Sequence, residues 1–70
     1  MPTHRYRIVI SGALGEVSRE VFGDLRIEGN GAETALTGNL DKDALYGVLD
    51  RIFVLGLEIV ELIRLPGRGK

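Results

Sequence analysis

Few residues in this chain carry groups that could do chemistry, and their spacing decides what is left to them. A catalytic centre needs a nucleophile beside a base, paired carboxylates in a pocket, or a metal-binding cluster. The single histidine, His4, stands in the N-terminal segment beside Arg5 and Arg7, where a solvated side chain is the expectation. Ser11, Thr34 and Thr37 fall at strand ends and on half-exposed strand faces, which commonly carry such residues. The absence of cysteine leaves neither a disulfide framework nor a thiolate metal site. The turn Ser11-Gly12-Ala13-Leu14-Gly15 follows a strand and opens a helix, a setting in which backbone N–H groups at Gly12 and Gly15 can hold an anion. It lacks the lysine of a P-loop and the three-glycine dinucleotide fingerprint, so a tight turn is the better reading. The residues therefore point away from an enzyme, with no catalytic, metal or cofactor role to assign.

The elements that would position these groups follow from periodicity. Tyr6 to Ser11 alternates as a strand, with Tyr6, Ile8 and Ile10 on one face and Arg7, Val9 and Ser11 on the other. Leu14, Val17, Val21 and Phe22 form the stripe of a short helix that Gly23 stops. Leu25 and Ile27 alternate with Arg26 and Glu28 in a second strand, Gly29-Asn30-Gly31 suits a tight hairpin, and Glu33 to Gly38 is the third strand. Asp41 is placed to cap a second helix whose Leu45, Val48, Leu49, Ile52 and Phe53 recur at helical spacing. Gly56 stands where a left-handed residue would close it. The last strand, Leu57 to Leu65, has apolar residues on both faces, and Pro66 to Lys70 is a basic tail of the kind that usually frays.

The order β-α-β-β-α-β matches a split βαβ, or ferredoxin-like, α+β domain over residues 1–70, with its ordered core at about 5–65. Right-handed crossovers predict a four-stranded antiparallel sheet in the order 4-1-3-2 with both helices on one face. At 70 residues such a domain buries only about 60% of the surface its unfolded chain exposes. With no disulfide or thiolate metal site to reinforce it, self-association is the remaining source of stability.

On the sheet face that the helices leave open, the alternation places Val9, Ala35, Val60 and Leu62, rimmed by Arg7, Thr37, Glu58 and Arg64. An apolar patch of that kind points to a partner or a self-contact. Tyr46 and Val54 on the second helix extend the candidate interface, and Gly47, at about 1 kcal/mol against alanine, is explained by close approach of another element. The expected partner is therefore a second copy, in a homodimer, or an unidentified protein. Nine basic and ten acidic residues leave no net field to draw in nucleic acid. The local exception is a basic pole of Arg5, Arg7, Arg64, Arg68 and Lys70, more simply read as solubilising charge on terminal segments. The apolar run from Ile52 to Leu65 is broken by Gly56, Glu58, Glu61 and Arg64, too interrupted to span a bilayer, and the N-terminus lacks an apolar signal core, which predicts a cytoplasmic protein.

Marker residues separate this chain from several families on the same fold. The turn after the first strand has no arginine and ETALTG has no asparagine, unlike acylphosphatases. The absence of a CxxC excludes metallochaperones, and Thr34, Ala35, Leu36 and Thr37 offer none of the stacking aromatics of RNA-recognition modules. Gly38 to Leu62 resembles the second half of an ACT-type regulatory domain, in which a helix is followed by a Leu-Gly-Leu turn into the last strand. The spacing Thr34-x-Leu36-x-Gly38, Asp41-x-x-x-Leu45-x-Gly47-x-Leu49-x-Arg51, Leu55-Gly56-Leu57 is similar to that of small uncharacterised bacterial proteins of about 70 residues. The ACT resemblance implies paired sheets and a sensor of small anions or amino acids, with Gly12 to Gly15 in the place of the ligand loop. Three functions follow as expectations: a non-enzymatic module that self-associates through its sheet, an ACT-like small-molecule sensor, and nucleic-acid binding by the basic pole.

Overall fold

Alternating apolar residues on the strands and a capped amphipathic helix dictate where the core lies. The computed structural model describes residues 2–66. Its elements are β1 (His4–Ser11), α1 (Glu16–Val21), β2 (Arg26–Gly29), β3 (Glu33–Leu40), α2 (Lys42–Val54) and β4 (Ile59–Arg64). The fold is α+β, with one four-stranded antiparallel sheet ordered β2-β3-β1-β4, which is β4-β1-β3-β2 counted from the other edge. Ile8, Ile10 and Leu36 on one sheet face pack with Leu14, Phe22, Leu45, Val48 and Ile52 from the helical layer.

Helix α2 forms because its ends are satisfied as well as its stripe. The Asp41 carboxylate accepts from the Ala44 N–H at 2.7 Å, and Asp43 adds negative charge to the first turn. At the other end the Leu57 N–H donates to the Ile52 carbonyl and the Gly56 N–H to Phe53, with Gly56 at φ +75°, a full Schellman closure. Helix α1 is six residues long and its N-cap, Gly15, has no side chain to contribute.

Several boundaries and faces differ from expectation. Strand β3 runs two residues beyond Gly38, because Leu40 completes the core where it faces His4 across the ladder. Phe53, expected in the core, is 82% exposed: it lies about a quarter turn from the Leu45–Ile52 line, and nothing covers that side of α2. Val21 is also exposed, while its neighbours Leu14 and Phe22 carry the burial of α1. The expected contribution of the Val17 side chain, and the tail residues Arg68 and Lys70, lie outside the described residues.

The largest departure is in β4. Its register with β1 pairs Tyr6 with Arg64, Ile8 with Leu62 and Val9 with Glu61, then shifts so that Ile10 meets Ile59. Val60 is the extra residue of a bulge, and a single extra residue reverses the facing of everything beyond it. Ile59 keeps its expected place on the helix side. Leu62 and Arg64 move to the helix side, and Ile63, opposite Arg7, takes the place on the open face where Leu62 was expected.

Candidate functional site

The expected interface residues divide into separate sites. Val9 and Ala35 are in register on the open face, but Val9 is only 6% exposed between Arg7, Ala35 and Glu61, so the open face carries no broad apolar patch. Val54 lies on the α1 side of α2, where it shares a shallow surface with Val21, Arg51 and Leu55. Tyr46 lies on the other side of α2, in a cavity with Tyr6 and Arg64. Phe53 follows Tyr46 by seven residues on the same helical stripe, the side of α2 that meets Tyr6 and Arg64. Seven of the eight exposed large apolar side chains among the described residues fall between Tyr46 and Leu62. They divide into two surfaces, Tyr46 and Phe53 with Ile59, Val60 and Leu62 toward the β4 edge, and Val54 and Leu55 with Val21 on the α1 side.

Strand β4 ends the sheet and has a ladder on one side only. Its backbone polarity can be read from one bond: the Leu65 N–H donates to the Arg5 carbonyl at 2.7 Å. Antiparallel pairs alternate between bonded and non-bonded, so Ile63 and Glu61 also turn their backbone groups toward β1. Leu62 and Arg64 then turn their N–H and C=O groups outward. Edge strands are ordinarily blunted by charge, proline or bulges. Here the bulge lies at one end, and Leu62 and Val60 remain 45% and 51% exposed.

The remaining candidates are placed as follows. The Gly12 N–H donates to the Ala32 carbonyl at 2.7 Å, and its own carbonyl accepts from the buried Thr34 hydroxyl at 2.7 Å. The Gly12 turn thereby ties β1 to the β2–β3 hairpin with its amide already engaged, and Gly15 opens the short α1. Arg5 and Arg7 lie on the open face, whereas Arg64 pairs with Tyr6 on the helix side. The three described members of the basic pole thus face different sides of the sheet, although Arg5 and Arg64 meet at a cavity at its end with His4 and Asn39. Among the described residues no cluster of His, Asp or Glu is placed to hold a metal ion, and no helix is long and apolar enough to cross a membrane.

Sequence reasoning missed the helix-side facing of Leu62 and the open-face position of Ile63 because it assumed an unbroken period of two. The signal was present in Ile59-Val60-Glu61-Leu62-Ile63, where two apolar doublets flank one charge, a pattern a flat strand with one buried face does not produce.

A family model described as a domain of unknown function, DUF8691, matches residues 5–63, and the chain belongs to that family. No curated protein and no solved structure matches it.

Proposed function

We propose that this DUF8691 domain is a non-enzymatic interaction module, ferredoxin-like in architecture, that pairs with a second copy of itself edge to edge through β4. The observation that carries the reading is the unpaired, apolar β4 edge with Leu62 turned outward at its centre. Two-fold pairing of antiparallel edges sets one residue opposite itself, in a hydrogen-bonded pair when that residue's backbone points outward. Leu62 and Arg64 would each centre such a bonded pair. Centring on Arg64 would oppose two guanidiniums, whereas centring on Leu62 opposes two leucines and sets Glu61 against Ile63 of the second copy.

Size supports including the helix flank. A standard interface takes about 800 Å² from each partner, roughly a sixth of the 4836 Å² surface of this chain. A ladder of four or five residues does not reach that area alone. The stripe of Tyr46, Leu49 and Phe53, on the side of α2 that meets Tyr6 and Arg64, lies on the side a second copy would occupy and supplies the remainder.

Sedimentation velocity over a wide concentration series tests the pairing. The wild-type chain is expected at twice the monomer mass. Leu62→Glu opposes two carboxylates at the two-fold, and Leu62→Pro removes the outward donor while sparing the β1 ladder, a position where an edge strand accepts proline. Both variants are expected to be folded monomers by circular dichroism. A monomeric wild type, or a dimer that survives both substitutions, refutes the proposal.

A further inference from the structure

A cavity of about 420 Å³ opens between the first turn of α2 and the end of the sheet where β1 meets β4. Its walls carry His4, Lys42 and Arg64 together with the phenols of Tyr6 and Tyr46, over an apolar floor from Leu45. No carboxylate lines it. The two acids beside Lys42 are directed elsewhere: Asp41 is engaged with the Ala44 N–H, and Asp43 lines the surface on the opposite side of α2. Among the described residues the single ion pair, Arg26 with Glu28, is at the far edge of the sheet.

We infer that this cavity binds a small organic oxyanion with an apolar or aromatic body, either a carboxylate or a phosphate monoester. The placement follows from the fold. Register puts Arg64 beside Tyr6 on the helix side, His4 lies two residues along the same face with its ring edge-on to Tyr6 at 6.4 Å, and the start of α2 brings Lys42 and Tyr46 over them. A guanidinium supplies a planar fork for two oxygens, an ammonium supplies a mobile point charge, and the imidazole and phenols supply further hydrogen bonds. The aromatic rings and Leu45 take the body of the ligand, and the volume is within the range of small-molecule sites. Of its lining, Arg64 belongs to β4 and Tyr46 to the flank proposed for pairing, while His4, Tyr6, Lys42 and Leu45 lie outside both.

Amide NMR titration with phenyl phosphate and benzoate, and with inorganic phosphate as the probe lacking an apolar body, tests the inference. Phenyl phosphate or benzoate is expected to give saturable shifts at Tyr6, Lys42, Tyr46 and Arg64, and the tighter of the two identifies the oxyanion. Inorganic phosphate is expected to bind more weakly than phenyl phosphate. Lys42→Ala and Arg64→Ala are each expected to weaken binding about tenfold or more, the effect of losing a charge-assisted hydrogen bond, while Arg26→Ala leaves it unchanged. The absence of saturable shifts, shifts spread equally over Arg5, Arg7 and Arg26, or an equal loss in Arg26→Ala overturns the site. Lys42 is exposed at the helix start, so its variant reads binding without disturbing the core.

Discussion

Replacing Gly47 by alanine is the perturbation whose outcome the geometry determines most tightly. Gly47 lies inside α2, and the glycines with positive φ are Gly12, Gly31 and Gly56, so its backbone is open to any residue. A Cβ built on it meets no heavy atom within 4 Å. Neither strain nor overlap opposes the change, which leaves the backbone-entropy difference between glycine and alanine in a helix, about 1 kcal/mol in favour of alanine. For a domain of this size that is a rise in Tm of about 4–8 °C. A thermal melt by circular dichroism reads it, and urea unfolding should show a higher midpoint with an unchanged slope. Gly47 shares its surface with Val21, Leu25 and Arg51, away from the Tyr46 and Phe53 stripe. Dimerisation through β4 therefore leaves it free, and the gain should be the same in dilute and concentrated protein. A gain that vanishes on concentration would refute this placement and bring a second copy against the Gly47 side of α2. A loss of stability at every concentration would refute the packing of α2 itself.

Two core substitutions test how the turn and the sheet are held. Thr34→Val removes the hydroxyl that donates to the Gly12 carbonyl from a side chain only 1% exposed, and should lower stability by about 1 kcal/mol in urea unfolding, with Thr34→Ser retaining the bond and recovering part of the loss. Gly38→Ala sets a Cβ 2.5 Å from Cδ2 of the buried Leu25 and should be destabilising by about 1–3 kcal/mol, the usual range for overpacking; a neutral result would show that Leu25 can withdraw freely.

What the sequence disclosed depended on whether a local rule or a long-range pairing decided the outcome. The ends of α2 were readable because Asp41 and Gly56 act on neighbouring backbone groups, and both do what their types predict. The core stripe Leu45, Val48 and Ile52 was readable for the same reason, since helical pitch is a local property. Phe53 was misplaced because burial at the stripe's margin depends on what lies opposite, and β4 does not reach over it. The facing of Leu62 and Ile63 was misplaced because it depends on one unpaired residue, Val60, in a ladder with a strand some fifty residues earlier. Gly38, legible only as the end of a strand, makes room for Leu25 from the neighbouring strand's approach, which no local pattern encodes. The cavity of His4, Lys42 and Arg64 draws on three distant segments, and only the sheet register brings them together.

The two edges of the sheet bear on what kind of assembly a β4 contact would produce. A β4 edge that paired with the β2 edge of another copy would leave a free β4 and a free β2 at the ends, and the sheet would grow without limit. Strand β2 is four residues long and carries Arg26 and Glu28, ion-paired at 3.3 Å on its solvent side, which are the features that keep an edge from pairing. Strand β4 also carries two charges, Glu61 and Arg64, but they flank the exposed Leu62, and the Val60 bulge interrupts its ladder at the other end. The flat stretch left to pair is short, and its hydrogen-bonded centre free of like charges is Leu62. A contact of β4 with its own copy consumes both exposed edges at once and leaves only β2 edges outward. Closure thus rests on the two-fold itself and on the charged β2 edge, with the Val60 bulge shortening the stretch that pairs.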